Sequence, residues 1–288
     1  MFQLAPFGLF NRGVLSEIED LSKKIYKGKK LFSNEINMKD HDDSFYKKSS
    51  KKFKKYEFHG QGKLVTGEKP NFFEYLKKFA NKNFRILDLG CGSGELTLKL
   101  FSFFKEIVGI DPFEDYIKSA EKIKKSFEAK NVIFKVADGK YLPFEDGYFD
   151  IVFSSRGPLS ANIDFIRESF RVLKKGGLMI EETIGEKDKI ELKKNFGRGQ
   201  NYPYQETKLE SVKKLLTQSG MKLVESKYFE FYQVYSSIND VVEILERAPI
   251  IPNFDITKDK SHLEEIDKKL NHKGIKLSSH RLFWVAEK

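Results

Sequence analysis

Residues 86–94 read Ile-Leu-Asp-Leu-Gly-Cys-Gly-Ser-Gly, and an isolated acid, Asp111, follows about one strand–helix–strand unit later. The apolar residues Phe84, Ile86, Leu87 and Leu89 make a short run that suits a buried strand. The run ends in glycines at alternate positions, Gly90, Gly92 and Gly94. Glycine there lets the backbone turn with φ above zero and come close to a ligand. Glu95 to Phe104 is then expected to form a helix and Ile107 to Ile110 the next strand, closed by Asp111. Strand, glycine turn, helix, strand and acid in that order are the layout of a nucleotide-binding βαβ unit.

The spacing bears on which nucleotide. The dinucleotide fingerprint is G-x-G-x-x-G, with a helix N-terminus facing a pyrophosphate. This chain has D-x-G-x-G-x-G, with Asp88 ahead of the first glycine. A carboxylate beside the turn would repel a pyrophosphate and welcome a cation or an ammonium group.

Further along, Val132 to Val136 is a third apolar run, ending in Ala137-Asp138-Gly139. Leu142-Pro143-Phe144-Glu145-Asp146-Gly147-Tyr148-Phe149-Asp150-Ile151-Val152-Phe153 follows, and then Arg171-Val172-Leu173-Lys174-Lys175-Gly176-Gly177-Leu178. With the glycine turn these make four motifs in order over roughly residues 70 to 184. In that order they resemble the class I S-adenosylmethionine-dependent methyltransferases, nearest to the broad type 11 group typified by ubiquinone/menaquinone-biosynthesis methyltransferases. The resemblance implies an α/β, Rossmann-like sheet of seven strands, the last antiparallel, with helices on both faces. It implies S-adenosyl-L-methionine as cofactor. Asp88, Gly90, Cys91, Gly92 and Gly94 would hold its amino-acid end, and Asp111 and Pro112 its ribose. Asp138 and Gly139 would meet the adenine, and Ser154 completes the expected cofactor set.

Methyl transfer is an in-line attack on a sulfonium methyl, for which the protein supplies orientation, a dry pocket and, where needed, a base. No triad is recognisable, and the catalytic residues are unassigned. The five histidines, His41, His59, His262, His272 and His280, have no metal-ligand spacing, so no metal is expected. Cys91 suits packing better than nucleophilic catalysis. His280-Arg281, near the chain end, reads as a satisfied strand pair.

The substrate side is expected beyond the carboxyl end of the fourth strand, where the chain reads Ser154-Ser155-Arg156-Gly157-Pro158. The Asn/Asp-Pro-Pro-Tyr/Phe motif of DNA and glutamine methyltransferases is missing there, so a DNA partner is not expected. Arg156 could clamp a carboxylate or phosphate, or form a surface ion pair. Arg198, flanked by Gly197 and Gly199 and followed by Tyr202 and Tyr204, reads as part of a loop over the same pocket. A small polar or acidic substrate is the leading reading, and a non-catalytic cofactor-binding protein is a further one.

Net charge is +10, from 52 basic and 42 acidic residues. Such a balance fits either an RNA partner or a solvated lysine face. The most concentrated basic stretch, Lys47 to Lys55, interleaves lysines with Phe53 and is flanked by Phe45, Tyr46 and Tyr56, so it could hold single-stranded RNA. A lysine-rich flap over the cofactor cleft is the blander reading. A single cysteine rules out an internal disulfide and fits a reducing, cytoplasmic setting. No apolar run is long enough to span a membrane.

Residues 1–60 read as an N-terminal extension whose Val14, Ile18, Leu21 and Ile25 keep helical spacing. Residues 61–288 read as the methyltransferase domain. Pro70 to Ala80 is expected to be a helix leading into the first strand. Tyr116, Ile117, Ala120, Ile123 and Phe127 should share one buried helix face. Between the last two strands, residues 238–274 are expected to be a helical insertion. Asp240 to Arg247 is expected to form one helix there, and Leu263, Ile266 and Leu270 mark another.

Overall fold

The computed structural model describes residues 63–269 and 274–288. The lysine-rich stretch, the first sixty residues and Leu270 therefore lie outside the described part. One mixed sheet organises the rest. Its strands are β1 (Lys63–Gly67), β2 (Asn81–Leu89), β3 (Phe104–Asp111), β4 (Val132–Val136), β5 (Phe149–Ser155), β6 (Leu173–Ile184), β7 (Lys222–Tyr235) and β8 (Ile275–Glu287). Across the sheet the order is β1-β7-β8-β6-β5-β2-β3-β4. Strands β2 to β6 are parallel, and β8 lies antiparallel to both β6 and β7.

The seven expected strands are all present, and β1 adds an eighth. This short strand pairs antiparallel with β7 and covers that edge of the sheet. Its five residues carry little alternation to read, and Gly67 at its end takes φ +89° against the Glu230 carbonyl.

Side chains alternate cleanly across β2, β3, β5 and β6, as the period of a strand requires. Leu87, Val108, Val152 and Met179 face one cluster, which contains Phe165 and Ile166 of α4 (Ile163–Val172) and Leu215 of α6 (Lys208–Ser219). Ile86, Ile107, Ile151 and Ile180 face the opposite cluster. There they meet Leu76 of α1 (Phe72–Lys77), Leu98 of α2 (Glu95–Lys99) and Ile117 of α3 (Glu114–Lys124). Helices thus cover both faces, and the central strands β2, β3, β5 and β6 are buried on both sides.

Several boundaries differ from the sequence expectation. Helix α2 is a five-residue piece, and Phe104 already belongs to β3. Thr97 and Leu98 bury its inner side, and its C-cap Leu100 is also buried. Helix α1 starts after Asn71, whose side chain accepts the Glu74 N–H, so Pro70 stands before the cap. Phe127 was expected on a buried face and is exposed beyond the end of α3.

Between β6 and α6 lies α5 (Ile190–Phe196). Between β7 and β8 lie α7 (Ile238–Arg247) and α8 (Lys260–Lys268). Leu192, Phe196, Val241, Ile244, Leu263 and Ile266 from these three helices bury a third, smaller apolar cluster with Ile275 and Leu277 of β8. Arg198 closes this unit. Its guanidinium donates two 2.8 Å hydrogen bonds to the buried Asp259 carboxylate and one of 3.3 Å to the Pro252 carbonyl.

Gly94 ties the glycine turn to the core. It has φ +76°, and an added Cβ would stand 2.4 Å from Phe134 Cζ and 3.0 Å from Ala120 Cβ. Gly94→Ala is therefore expected to destabilise the fold by roughly 2–3 kcal/mol, through overpacking and left-handed strain. Urea unfolding of the variant against the wild type measures it.

Candidate functional site

The parallel strands β2, β3 and β5 all end at one cavity, the placement expected at a topological switch point. Its volume is about 550 Å³, within the usual range for a small-molecule site. Leu89, Gly90, Cys91 and Gly92 form one wall. Asp111, Pro112, Phe113 and Tyr116 form a second, and Ala137 to Lys140 a third. Ser155 to Pro158, with Phe165 from α4, complete it.

The glycine turn is laid over the end of β3. The N–H groups of Gly90 and Cys91 both donate to the Ile110 carbonyl at 2.9 Å. Gly92 N–H donates to Asp111 Oδ2 at 3.0 Å, and Phe113 N–H to Asp111 Oδ1 at 3.0 Å. Each carboxylate oxygen of Asp111 keeps one acceptor site for a ligand. Gly90, at φ +79°, lies so close to Pro158 that a Cβ would meet Cδ at 2.7 Å, whereas one on Gly92 would meet no protein atom within 4 Å.

Asp88 is 3% exposed and accepts the Thr97 hydroxyl at 2.6 Å. Burial pushes its carboxyl up to about 7, against the Thr97 hydrogen bond and with help from the Asp111 charge. Burial also raises Asp111 to about 6, opposed by the two backbone N–H groups. Burial and the two nearby carboxylates push the Cys91 thiol well above its ordinary value, so it is poorly suited to be a nucleophile. Asp138 accepts the Lys140 N–H at 2.9 Å and holds the third wall in a turn.

Of the residues singled out from sequence, Asp88, Gly90, Cys91, Gly92, Asp111, Pro112, Asp138, Gly139 and Arg156 line the cavity. Three do not. Gly94 is taken up by packing against Phe134. Ser154 is fully buried and donates to the Leu89 carbonyl at 2.7 Å, which ties β5 to β2. The residue one step on, Ser155, lines the cavity instead. Strand alternation separates the two, and a motif alignment does not register that single step. Arg198 is held by Asp259 in the insertion, so it does not join Arg156 at the cavity. His280 and Arg281 are part of a buried polar network in which Arg281 meets Asp188 and His280 stacks on Tyr228 at 4.6 Å.

Glu95, Leu96, Tyr116, Lys140, Ser155 and Phe165 also line the cavity and escaped the sequence reading. Tyr116 was expected to be part of a core stripe; it sits at the first turn of α3, where the helix face meets the cavity rather than the sheet. Among the described residues no cluster of three or more His, Cys, Asp or Glu side chains could hold a metal ion. Among the described residues, also, no helix is long and apolar enough to cross a membrane.

A family profile described as a methyltransferase domain matches residues 80–248, more than half of the chain. The chain belongs to the class I S-adenosylmethionine-dependent methyltransferase family, and S-adenosylmethionine is the cofactor of that family. It is 35% identical over 105 residues to the ubiquinone/menaquinone biosynthesis C-methyltransferase UbiE of Proteus mirabilis, covering 34% of this chain and 42% of that protein. It is 34% identical over 105 residues to the ubiquinone biosynthesis O-methyltransferase of Pelagibacter ubique, covering 36% and 43%. The chain thus spans about two fifths of the length of these curated relatives. The YcgJ protein of Bacillus subtilis shares the fold, with a TM-score of 0.55 at 17% identity over 75% of this chain and 96% of that one.

The raised carboxyl of Asp88 has a consequence for stability. In the folded chain it holds its proton to about pH 7, whereas unfolded it ionises near 4. Between those values the native state binds more protons than the unfolded state, so stability falls as pH rises. For Asp88 alone the loss is on the order of 4 kcal/mol. The ligand-free protein should have a lower urea midpoint at pH 8 than at pH 5, and Asp88→Asn should flatten that slope.

Proposed function

We propose that this protein transfers the methyl group of S-adenosylmethionine to a small molecule carrying an acidic group. The observation behind the reading is the division of charge in one cavity. Asp88, Glu95 and Asp111 bring acids to the side formed after β2 and β3, Arg156 brings a cation to the side formed after β5, and Asp138 and Lys140 stand together on the wall after β4.

The residues fit the cofactor. The open space over Gly92 admits a ligand against the turn, and the buried Asp88 and Asp111 carboxylates suit a ligand bearing an ammonium, a sulfonium and ribose hydroxyls. In this reading Asp88 and the turn at Gly90, Cys91 and Gly92 hold the amino-acid end. Asp111 and Pro112 take the ribose, and Asp138 and Gly139 the adenine. When bound, S-adenosylmethionine supplies an electrophilic methyl on sulfur. The protein's part is to orient the two reactants and exclude water, and Phe113, Tyr116, Pro158 and Phe165 provide apolar walls for that.

Arg156 carries the substrate side of the reading. It has φ +56°, a left-handed conformation that costs a non-glycine residue about 1 kcal/mol or more. The conformation is held by its own N–H, which donates to the Glu182 carbonyl at 2.6 Å. Its guanidinium has no partner among the described residues. An arginine that lines the cavity and can donate two parallel bonds favours a carboxylate or phosphate. The named relatives methylate carbon in one case and oxygen in the other, so they leave the methylated atom open.

Tritium-methyl S-adenosylmethionine incubated with the protein and a cell extract tests the reading. Label is expected in the small-molecule fraction retained by an anion exchanger. Label in RNA would overturn the reading in favour of an RNA substrate.

Four outcomes follow from the residue roles. Asp111→Ala should weaken S-adenosylmethionine at least tenfold in calorimetry, since hydrogen bonds to a charged acceptor contribute roughly 1.5–3 kcal/mol. Affinity should rise between pH 5.5 and 8, because Asp111 ionises at about 6 and Asp88 at about 7 in the ligand-free site. Arg156→Ala should lower transfer to the labelled acid tenfold or more. Arg198→Ala should leave transfer intact and instead destabilise the fold by roughly 1–3 kcal/mol, since it strands the buried Asp259.

A further inference from the structure

Ser155 and Arg156 are successive residues at the end of β5, yet both line the cavity. In a continuing strand they would point to opposite faces. The left-handed φ of +56° at Arg156 breaks the alternation, and both residues line the one cavity.

The direction of the serine hydroxyl is fixed by its neighbour. Ser155 Oγ lies 3.0 Å from Oε2 of Glu182, its register partner on β6. The hydroxyl is the donor of this bond and the carboxylate oxygen the acceptor, so the hydroxyl proton points to Glu182. Glu182 is itself 12% exposed, with its other oxygen 3.9 Å from Arg281 Nε. Arg281 is in turn fixed by Asp188. Ser155 Oγ, on a residue that lines the cavity, therefore keeps its acceptor lone pairs for another group.

We propose that Ser155 recognises a hydroxyl on the substrate, with Glu182 as the positioning residue that makes the serine an acceptor. The substrate class is then a hydroxy acid, its anionic group at Arg156 and its hydroxyl donating to Ser155 Oγ. This rests on the methyl-transfer reading above and names the substrate class of the same site. A site that offers an acceptor to a hydroxyl discriminates against the analogue lacking it, because Ser155 Oγ then gains no donor from the ligand.

The test uses the full chain loaded with S-adenosylhomocysteine. Calorimetry compares 3-hydroxybenzoate with benzoate and 3-hydroxybutyrate with butyrate; 3-hydroxybenzamide lacks the anion. At least one hydroxy acid is expected to bind tenfold or more tighter than its parent acid and than the amide. Ser155→Ala should bring hydroxy acid and parent acid within twofold of each other. So should Glu182→Met, which removes the carboxylate but leaves the serine. Both variants should keep S-adenosylhomocysteine affinity within twofold, which a merely structural role would not predict alongside the lost preference. Acids that bind without a hydroxyl preference overturn this proposal alone, as does a preference that survives Ser155→Ala. No binding by any acid, with S-adenosylhomocysteine still bound, overturns the anionic-substrate reading and this one with it.

Discussion

The Asp111 carboxylate is the joint on which the site depends. It sits at the end of β3 and accepts two backbone N–H groups, one from Gly92 in the turn after β2 and one from Phe113 ahead of α3. Two loops from neighbouring parallel strands are thereby fixed to one side chain. Such bonds favour the ionised form, and burial opposes it; the carboxyl rests at about 6. A strong, partly unsatisfied acceptor is kept at the cavity wall, supported by backbone that cannot drift. The Ile110 carbonyl reinforces the joint by taking the N–H groups of Gly90 and Cys91.

The glycines of the turn do different work around that joint. Gly90 admits Pro158, and so brings the loop after β5 against the turn. Gly92 opens onto space that a ligand can use. Gly94 faces the other way and makes room for Phe134 and Ala120. A spacing of three alternate glycines thus encodes one loop contact, one approach to a ligand and one core contact. Its regularity in sequence hides this division.

The antiparallel last strand followed from the family resemblance alone, whereas the βαβ order and the acids at the ends of β2 and β3 were legible because each rests on periodicity or on a motif local to the chain. The two helices at 238–247 and 260–268 were legible for the same reason, through apolar spacing and the prolines between them. What failed depends on partners distant in sequence. Ser154 and Ser155 are chemically identical in a string, and only the strand's facing assigns one to the core and the other to the cavity. Arg198 reads as a free arginine on a glycine-flanked loop until the chain returns 61 residues later with Asp259. Edge strand β1 has no signature without β7 beside it.

The buried ionic groups of β6 and β8 explain why the rim of the cavity is preorganised. Glu181 is fully buried, accepts the Trp284 indole N–H at 2.8 Å and the Ser160 N–H at 3.1 Å, and is raised by burial against the attraction of Lys208. Lys208 donates in turn to the Ser160 carbonyl at 3.0 Å. Its neighbour on the strand, Glu182, faces the opposite side of the sheet and takes the Ser155 hydroxyl, while its carbonyl takes the Arg156 N–H. Buried charges of this kind are weak evidence for stability, since desolvation offsets much of their attraction. Their geometric effect is definite. Two adjacent acids on β6, pointing to opposite faces, grip the two ends of the segment from Ser155 to Ser160. The residues between them, Arg156, Gly157 and Pro158, are the ones presented to the cavity, and a left-handed arginine persists there because both its flanks are held.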